Sequence, residues 1–255
     1  MILTWSPVPS SVGFQSFKNR AHVFCLALLL SLAASSAASA SPATAVPAIL
    51  SQGAGGLSPQ ILAMALNAVA SARDRGISGK GDLLTVIDYS LPSTEPRLWV
   101  LDLAHGKVLF HELVAHGSGS GEKIATRFSN VNESRATSLG LFLTGETYEG
   151  GKGYSLKLKG LDDGINDRAE ARHIVMHGAW YVSADHARQY GMLGRSWGCP
   201  ALPLQDAKPV IDTIKDGSFV FAYSAAAAPM LHASLASSPA RSTRSRGVVS
   251  SSLDR

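Results

Sequence analysis

A cysteine can carry covalent chemistry when its surroundings turn the chain tightly, admit a substrate and supply a base. Cys199 has all three in view, within the run Gly194-Arg-Ser-Trp-Gly-Cys-Pro200. Gly198 allows the tight turn and the close approach of another molecule. The backbone N–H groups of Gly198 and Cys199 could then converge on one point, as an oxyanion hole requires. Arg195 puts a positive charge nearby, which favours thiolate over thiol. Upstream, His177 closes the apolar run His173-Ile-Val-Met-His177 and is followed by Gly178. A histidine at a strand end can emerge from the sheet edge and take the thiol proton as general base. Ser196 shapes this site or caps a turn, and Trp197 packs or walls the substrate. Asn130 and Tyr181 are candidate groove residues among exposed polar and aromatic side chains.

Other chemistries fit less well. His173 and His177 are spaced as zinc ligands on a helix would be, but Ile-Val-Met between them carries no glutamate and reads as strand. Adding His186 and Cys199 gives four nominal ligands at a spacing that matches no standard zinc site. His105, His111 and His116 fall in or near a hairpin and read as ordinary turn and strand residues, with His116-Gly117 able to border a groove. A papain-like order is excluded, because there the cysteine precedes the histidine. A sortase-like transpeptidase would want an arginine on a following strand, and none occurs between Cys199 and Tyr223.

The elements that must position this pair are mostly strands. Ser58 and Pro59 open a helix with Ile61, Leu62, Ala65, Leu66 and Val69 on one face, ending at Gly76. From Asp82 the pattern becomes strand-like: Leu83–Tyr89, Arg97–Leu103 and Lys107–Val114, with Ala104-His-Gly106 as a turn. Leu139–Thr144, Tyr154–Leu158 and His173–His177 continue it. Long helix–strand alternation is missing, which argues against a doubly wound sheet. The expected fold is one mostly β domain over residues 57–224, with a short N-terminal helix packed on it.

The ends of the chain read differently. Lys18 and Arg20 flank the uncharged apolar stretch Ala21–Ala34, and Ala38-Ser39-Ala40 offers a signal-peptidase site, so residues 1–40 read as a cleaved export signal. Residues 41–56 form an Ala/Pro/Ser/Gly linker, and residues 225–255 an Ala/Ser/Arg-rich tail expected to be disordered. The chain carries a formal charge of +4, yet residues 41–224 hold 17 basic and 18 acidic side chains. A body so balanced gives no electrostatic reason to expect a nucleic-acid partner. Cleavage removes Cys25 and leaves Cys199 unpaired, so it is a buried bystander or a working thiol. Export places the protein in the periplasm or outside the cell, with no membrane span after cleavage.

The paired His177-Gly178 and Ser196-Trp-Gly-Cys199 resemble the signature of the L,D-transpeptidase catalytic domain, the YkuD-type fold. Val114-Ala-His-Gly117, Phe128-Ser-Asn130, Thr137–Thr144 and Gly194–Leu202 extend the likeness to a murein L,D-transpeptidase branch. The resemblance implies attack by Cys199 on a peptidoglycan stem peptide, a thioester, and its resolution by an amine into a 3–3 crosslink or by water as an L,D-carboxypeptidase. It implies a backbone carbonyl, not an acid, orienting the histidine, and no metal or organic cofactor. Trp197 stands where the family has a histidine, and Ala201 where it has an arginine associated with the donor peptide; Arg195 or Arg172 could replace the latter. The alternative from another class is a non-catalytic peptidoglycan-binding module.

Overall fold

The computed structural model describes residues 56–237. Helix α1 (Pro59–Asp74) is followed by β1 (Leu83–Asp88), β2 (Leu98–Asp102), β3 (Lys107–Glu112), β4 (Gly140–Gly150), β5 (Gly153–Gly160) and β6 (Val175–Gly178). Helix α2 (Ala184–Tyr190), β7 (Ala201–Leu202), α3 (Leu204–Ile214), β8 (Phe219–Tyr223) and α4 (Ala228–Ser237) complete it. The eight strands form one sheet in the order β3-β2-β1-β8-β4-β5-β6-β7. The last strand is therefore the central one, parallel to β1 and antiparallel to β4. Both β1 and β8 are buried along nearly their whole length, as apolar runs without polar alternation require.

Helix α1 covers the middle of the sheet, burying Ile61, Leu62, Ala65 and Val69 over β1, β4 and β8. Ser58 precedes it in an extended conformation, but its hydroxyl turns to Gln60 at 2.6 Å rather than capping a backbone N–H. Helix α3 supports the far end, under β5, β6 and β7. It comes so close that a Cβ on Gly178 would lie 3.0 Å from that of Ala207. The functional end of the sheet is thus backed by a helix whose buried face is Ala207, Val210, Ile211 and Ile214.

The mostly β reading holds, and the structure adds to it. Helix α3 escapes the sequence pattern because Pro209 interrupts it, a residue costly in a helix interior. Strand β6 begins at Val175 because His173 adopts φ 54°, a left-handed backbone that stops a strand. The expected disordered tail is corrected over its first part: Ala225–Ala227 forms a 3-10 turn and Ala228–Ser237 a helix. Leu231 supplies the reason, since it is buried at 2% exposure and joins the main core. The proposed export signal and the remainder of the linker and tail lie outside the described residues. Among the described residues, no helix is long and apolar enough to cross a membrane.

Candidate active site

Strands β6 and β7 bring the cysteine and histidine together at the sheet edge. They run parallel, with His177 opposite Ala201, and the His177 N–H donates to Pro200 O at 3.4 Å. The same register sets Cys199 beside Val175, whose N–H donates to Sγ at 3.5 Å. The thiol in turn donates to His173 O at 3.6 Å. Sulfur therefore rests about two residue steps, roughly 6.6 Å of strand, short of the histidine position. Its hydrogen bonds among the described residues go to backbone and not to His177.

His177 is buried at 2% exposure. Its Nδ1 lies 2.9 Å from Gly178 O. A carbonyl can only accept, so Nδ1 carries the proton and Nε2 is left as the basic nitrogen. Burial holds the imidazole below its usual pKa, partly opposed by the bond to Gly178 and aided by the positive charge of Lys152. The ring is thus neutral at physiological pH, the form in which an imidazole can accept a proton.

The turn before Cys199 is held from three sides. Ser196 Oγ donates to Cys199 O at 2.6 Å and accepts the Gly198 N–H at 3.1 Å. Thr137 Oγ1 donates to Gly198 O at 3.3 Å and accepts the Gly117 N–H at 2.9 Å. Backbone bonds tie Ser196 to His116 O and Ser118 N to Ser196 O. Gly198 itself takes φ 121°, a conformation side chains rarely adopt. One expectation is corrected here. The Gly198 N–H is occupied by Ser196 Oγ, so it is not a free oxyanion donor. The Cys199 N–H has no partner among the described residues and stays available.

The electrostatics of the thiol also depart from expectation. Burial pushes Cys199 up from the ordinary thiol value, more than the Val175 N–H and the charges of Lys152 and Arg172 pull it down. Arg195, expected to favour the thiolate, instead gives its Nη1–H to Gly121 O at 3.0 Å and is not among those cations. The resting sulfur is a thiol, not a preformed thiolate. Iodoacetamide labelling of Cys199 should therefore rise with a midpoint above the ordinary value of about 8.5. A labelling midpoint well below 8 would show a resting ion pair and contradict this geometry.

The other candidates divide. Tyr181 lies near the sulfur; burial first, then the cysteine's negative charge, raises its phenol to about 12. Gly194 makes room for it, because a Cβ there would sit 2.4 Å from the tyrosine side chain. Trp197 is 72% exposed, with the Arg135 guanidinium 4.7 Å above its ring. The Asn130 amide brackets a loop, donating to Asp167 at 2.8 Å and accepting from the Arg168 N–H. Ala201 is fully buried and brings no charge to the site. Sequence reasoning missed Lys152, in the turn between β4 and β5, whose Gly-Gly-Lys-Gly context gives no catalytic signal. It underweighted Arg172, whose place just before His173 sets it beside the site.

Beneath the turn lies a second histidine with a structural part. His116 is 1% exposed, and Arg97, wholly buried, approaches its Nδ1 at 2.8 Å. Arginine can only donate, so Nδ1 is the acceptor and protonating it would break the contact. Arg97 also binds Val114 O and Leu91 O and lies 5.0 Å over the Tyr89 ring. Burial and the adjacent Arg97 charge lower His116 to about 4. Because its folded pKa is below the unfolded value, the unfolded chain binds protons first. The stabilisation is complete above about pH 6.5 and is lost as pH falls toward 4, as much as about 3 kcal/mol. Thermal melts at pH 7 and 4.5 check this. The acid-induced fall in Tm should shrink in His116→Asn, which keeps an acceptor for Arg97, and an undiminished fall would assign the effect elsewhere.

A thiol in the turn entering β7 and a tautomer-fixed imidazole on the adjacent β6, with an open N–H at the cysteine, define a site suited to acyl transfer. The sequence model of the L,D-transpeptidase catalytic domain matches residues 54–223, and the chain belongs to that family. This membership displaces the sortase-like alternative. Among solved structures, the chain is similar to an L,D-transpeptidase from Mycobacterium smegmatis, at 14% identity and TM-score 0.33, covering 56% of this chain and 58% of that one. It is similar also to one from Mycobacterium tuberculosis H37Rv, at 15% identity and TM-score 0.33, covering 56% and 57%. For an L,D-transpeptidase from Stackebrandtia nassauensis the values are 18%, 0.35, 63% and 64%. The chain thus spans less than two thirds of each of these proteins. A comparison with curated proteins gives no match.

Proposed function

We propose that this protein is an exported peptidoglycan L,D-transpeptidase, acting through a thioester on Cys199 to form 3–3 crosslinks, or as an L,D-carboxypeptidase when water is the acceptor. The observation that carries the reading is the fixed tautomer of His177 on the strand that pairs with β7, the strand entered from the free Cys199. Rotation of Cys199 away from His173 O frees the S–H for Nε2. Sulfur then attacks the carbonyl carbon of the third residue of a tetrapeptide stem, a meso-diaminopimelate. The oxyanion is met by the Cys199 N–H, in a site where burial strengthens each hydrogen bond. Collapse breaks the peptide bond, and the terminal D-alanine leaves as an amine that takes the proton from His177. An amine of a second stem attacks the thioester, gives its proton to His177 and restores the thiol; water does the same to yield a tripeptide.

Membership of the family and the proposed export signal support a substrate in the cell envelope. The test is incubation of the protein with disaccharide-tetrapeptide muropeptides, followed by mass spectrometry of products and of the intact protein. Loss of D-alanine, new dimers and a disaccharide-tripeptide adduct on the Cys199 peptide are expected. Loss without dimers would make the enzyme a carboxypeptidase. An unaltered substrate and an unmodified protein would favour the non-catalytic binding module.

A further inference from the structure

One face of the catalytic turn opens on a cavity of about 530 Å³ lined by Asn132, Glu133, Arg135, Arg172 and Trp197. Two arginines against one glutamate give it a positive wall. Neither Arg135 nor Arg172 pairs with a carboxylate among the described residues. They differ in kind. The Nη groups of Arg172 are committed to Ser129 O, Ser138 Oγ, Ser134 Oγ and Ala136 O. Its Nε is buried without a partner. Arg172 therefore contributes a fixed charge. Arg135 is exposed, rests its guanidinium on Trp197 and keeps its donors free for a ligand. Stacking on an indole orients such a fork at little entropic cost.

The cavity adjoins the turn that leads into Cys199. Trp197 is two residues from Cys199, and Ala136 O, which Arg172 grips at 2.7 Å, lies 2.9 Å from where a Cβ on Gly198 would stand. The free carboxylate of a leaving residue is one residue beyond the carbonyl that Cys199 attacks, within about 4 Å of it. An enzyme that removes only the last residue of a stem must recognise that the chain ends there. Such an end is marked by its negative charge.

Building on the transpeptidase reading, we infer that this cavity seats the α-carboxylate of the residue that leaves, with Arg135 on the Trp197 face as its direct partner and Arg172 as fixed background charge. Arg135 is thus a specificity-determining residue, and it restricts cleavage to stems with a free C-terminus. A planar guanidinium suits a carboxylate, to which it can donate two parallel hydrogen bonds.

The test compares a tetrapeptide-stem muropeptide having a free C-terminal carboxylate with the same donor carrying a C-terminal amide, in wild type and in Arg135→Gln. Wild type should prefer the free acid by at least about 10-fold in kcat/KM, chiefly through KM. In Arg135→Gln the preference should fall toward one, and circular dichroism and Tm report whether the variant is folded. Retention of the wild-type preference in folded Arg135→Gln overturns the inference. So does its disappearance in Lys152→Ala instead, which would assign the carboxylate to the β4–β5 turn. Equal turnover of both donors by wild type overturns the inference while leaving the transpeptidase reading in place. Turnover of neither donor overturns both.

Discussion

Cys199→Ala is expected to bring D-alanine release from tetrapeptide muropeptides down by at least about 10⁴-fold, to the background of the assay. Alanine removes the only atom proposed to form a bond with the substrate and leaves the fold intact. The sulfur is only partly buried and its two hydrogen bonds are long, so little stability depends on it. His177→Gln should cause a loss of similar order, since the resting thiol is protonated and needs a base. The two effects should not add, because nucleophile and base act as a unit. The double variant should be no worse than either single one. The measurement is product mass against time, with the intact-protein mass taken in parallel. Appreciable turnover by Cys199→Ala, or an acyl adduct elsewhere, would remove the cysteine from the mechanism.

The candidate site was legible in sequence wherever the chemistry proposed for it depends on residue type and order. Cys199, His177 and the glycines beside them are of this kind, because a nucleophile needs a base and a turn. Hydrogen-bond partners could not be read in the same way. Ser196 Oγ reaches forward over three residues to Cys199 O, and in doing so takes the Gly198 N–H that was expected to serve the oxyanion. Arg195 lies four residues from the cysteine yet points to Gly121 O, while Arg172 and Lys152, distant in sequence, are the cations that act on the sulfur. Electrostatics follow the fold, and the fold sets β5, β6 and β7 side by side. Strands β1 to β6 were readable from their apolar runs, whereas β7, of two residues, and β8 were not anticipated. The central place of β8 was not readable either, because a strand's neighbours are chosen by the whole sheet and not by its own composition.

Gly117→Ala should lower kcat/KM by about 10²-fold or more, and it tests how closely the turn must be placed. Gly117 has φ −71° and ψ 145°, angles open to any residue, so its backbone has no need of glycine. The constraint is space. A Cβ there would lie 2.2 Å from Arg135 O, 2.7 Å from Gly198 Cα and 2.8 Å from Gly198 N. All three are backbone atoms, so no side-chain rotation can relieve the clash. One of the two strands of backbone must move by about an ångström to restore contact distance. The Gly198 side is the turn that leads into Cys199, and its shift would carry the Cys199 N–H and Sγ with it. A displacement of that size can cost about 10² in rate. The stability cost of overpacking is smaller, about 1–3 kcal/mol, which for a domain of this size lowers Tm by a few degrees per kcal/mol. Activity should thus fall far more than stability does. Wild-type turnover in a folded Gly117→Ala protein would show that the turn tolerates displacement, and would argue against a fixed oxyanion donor at Cys199.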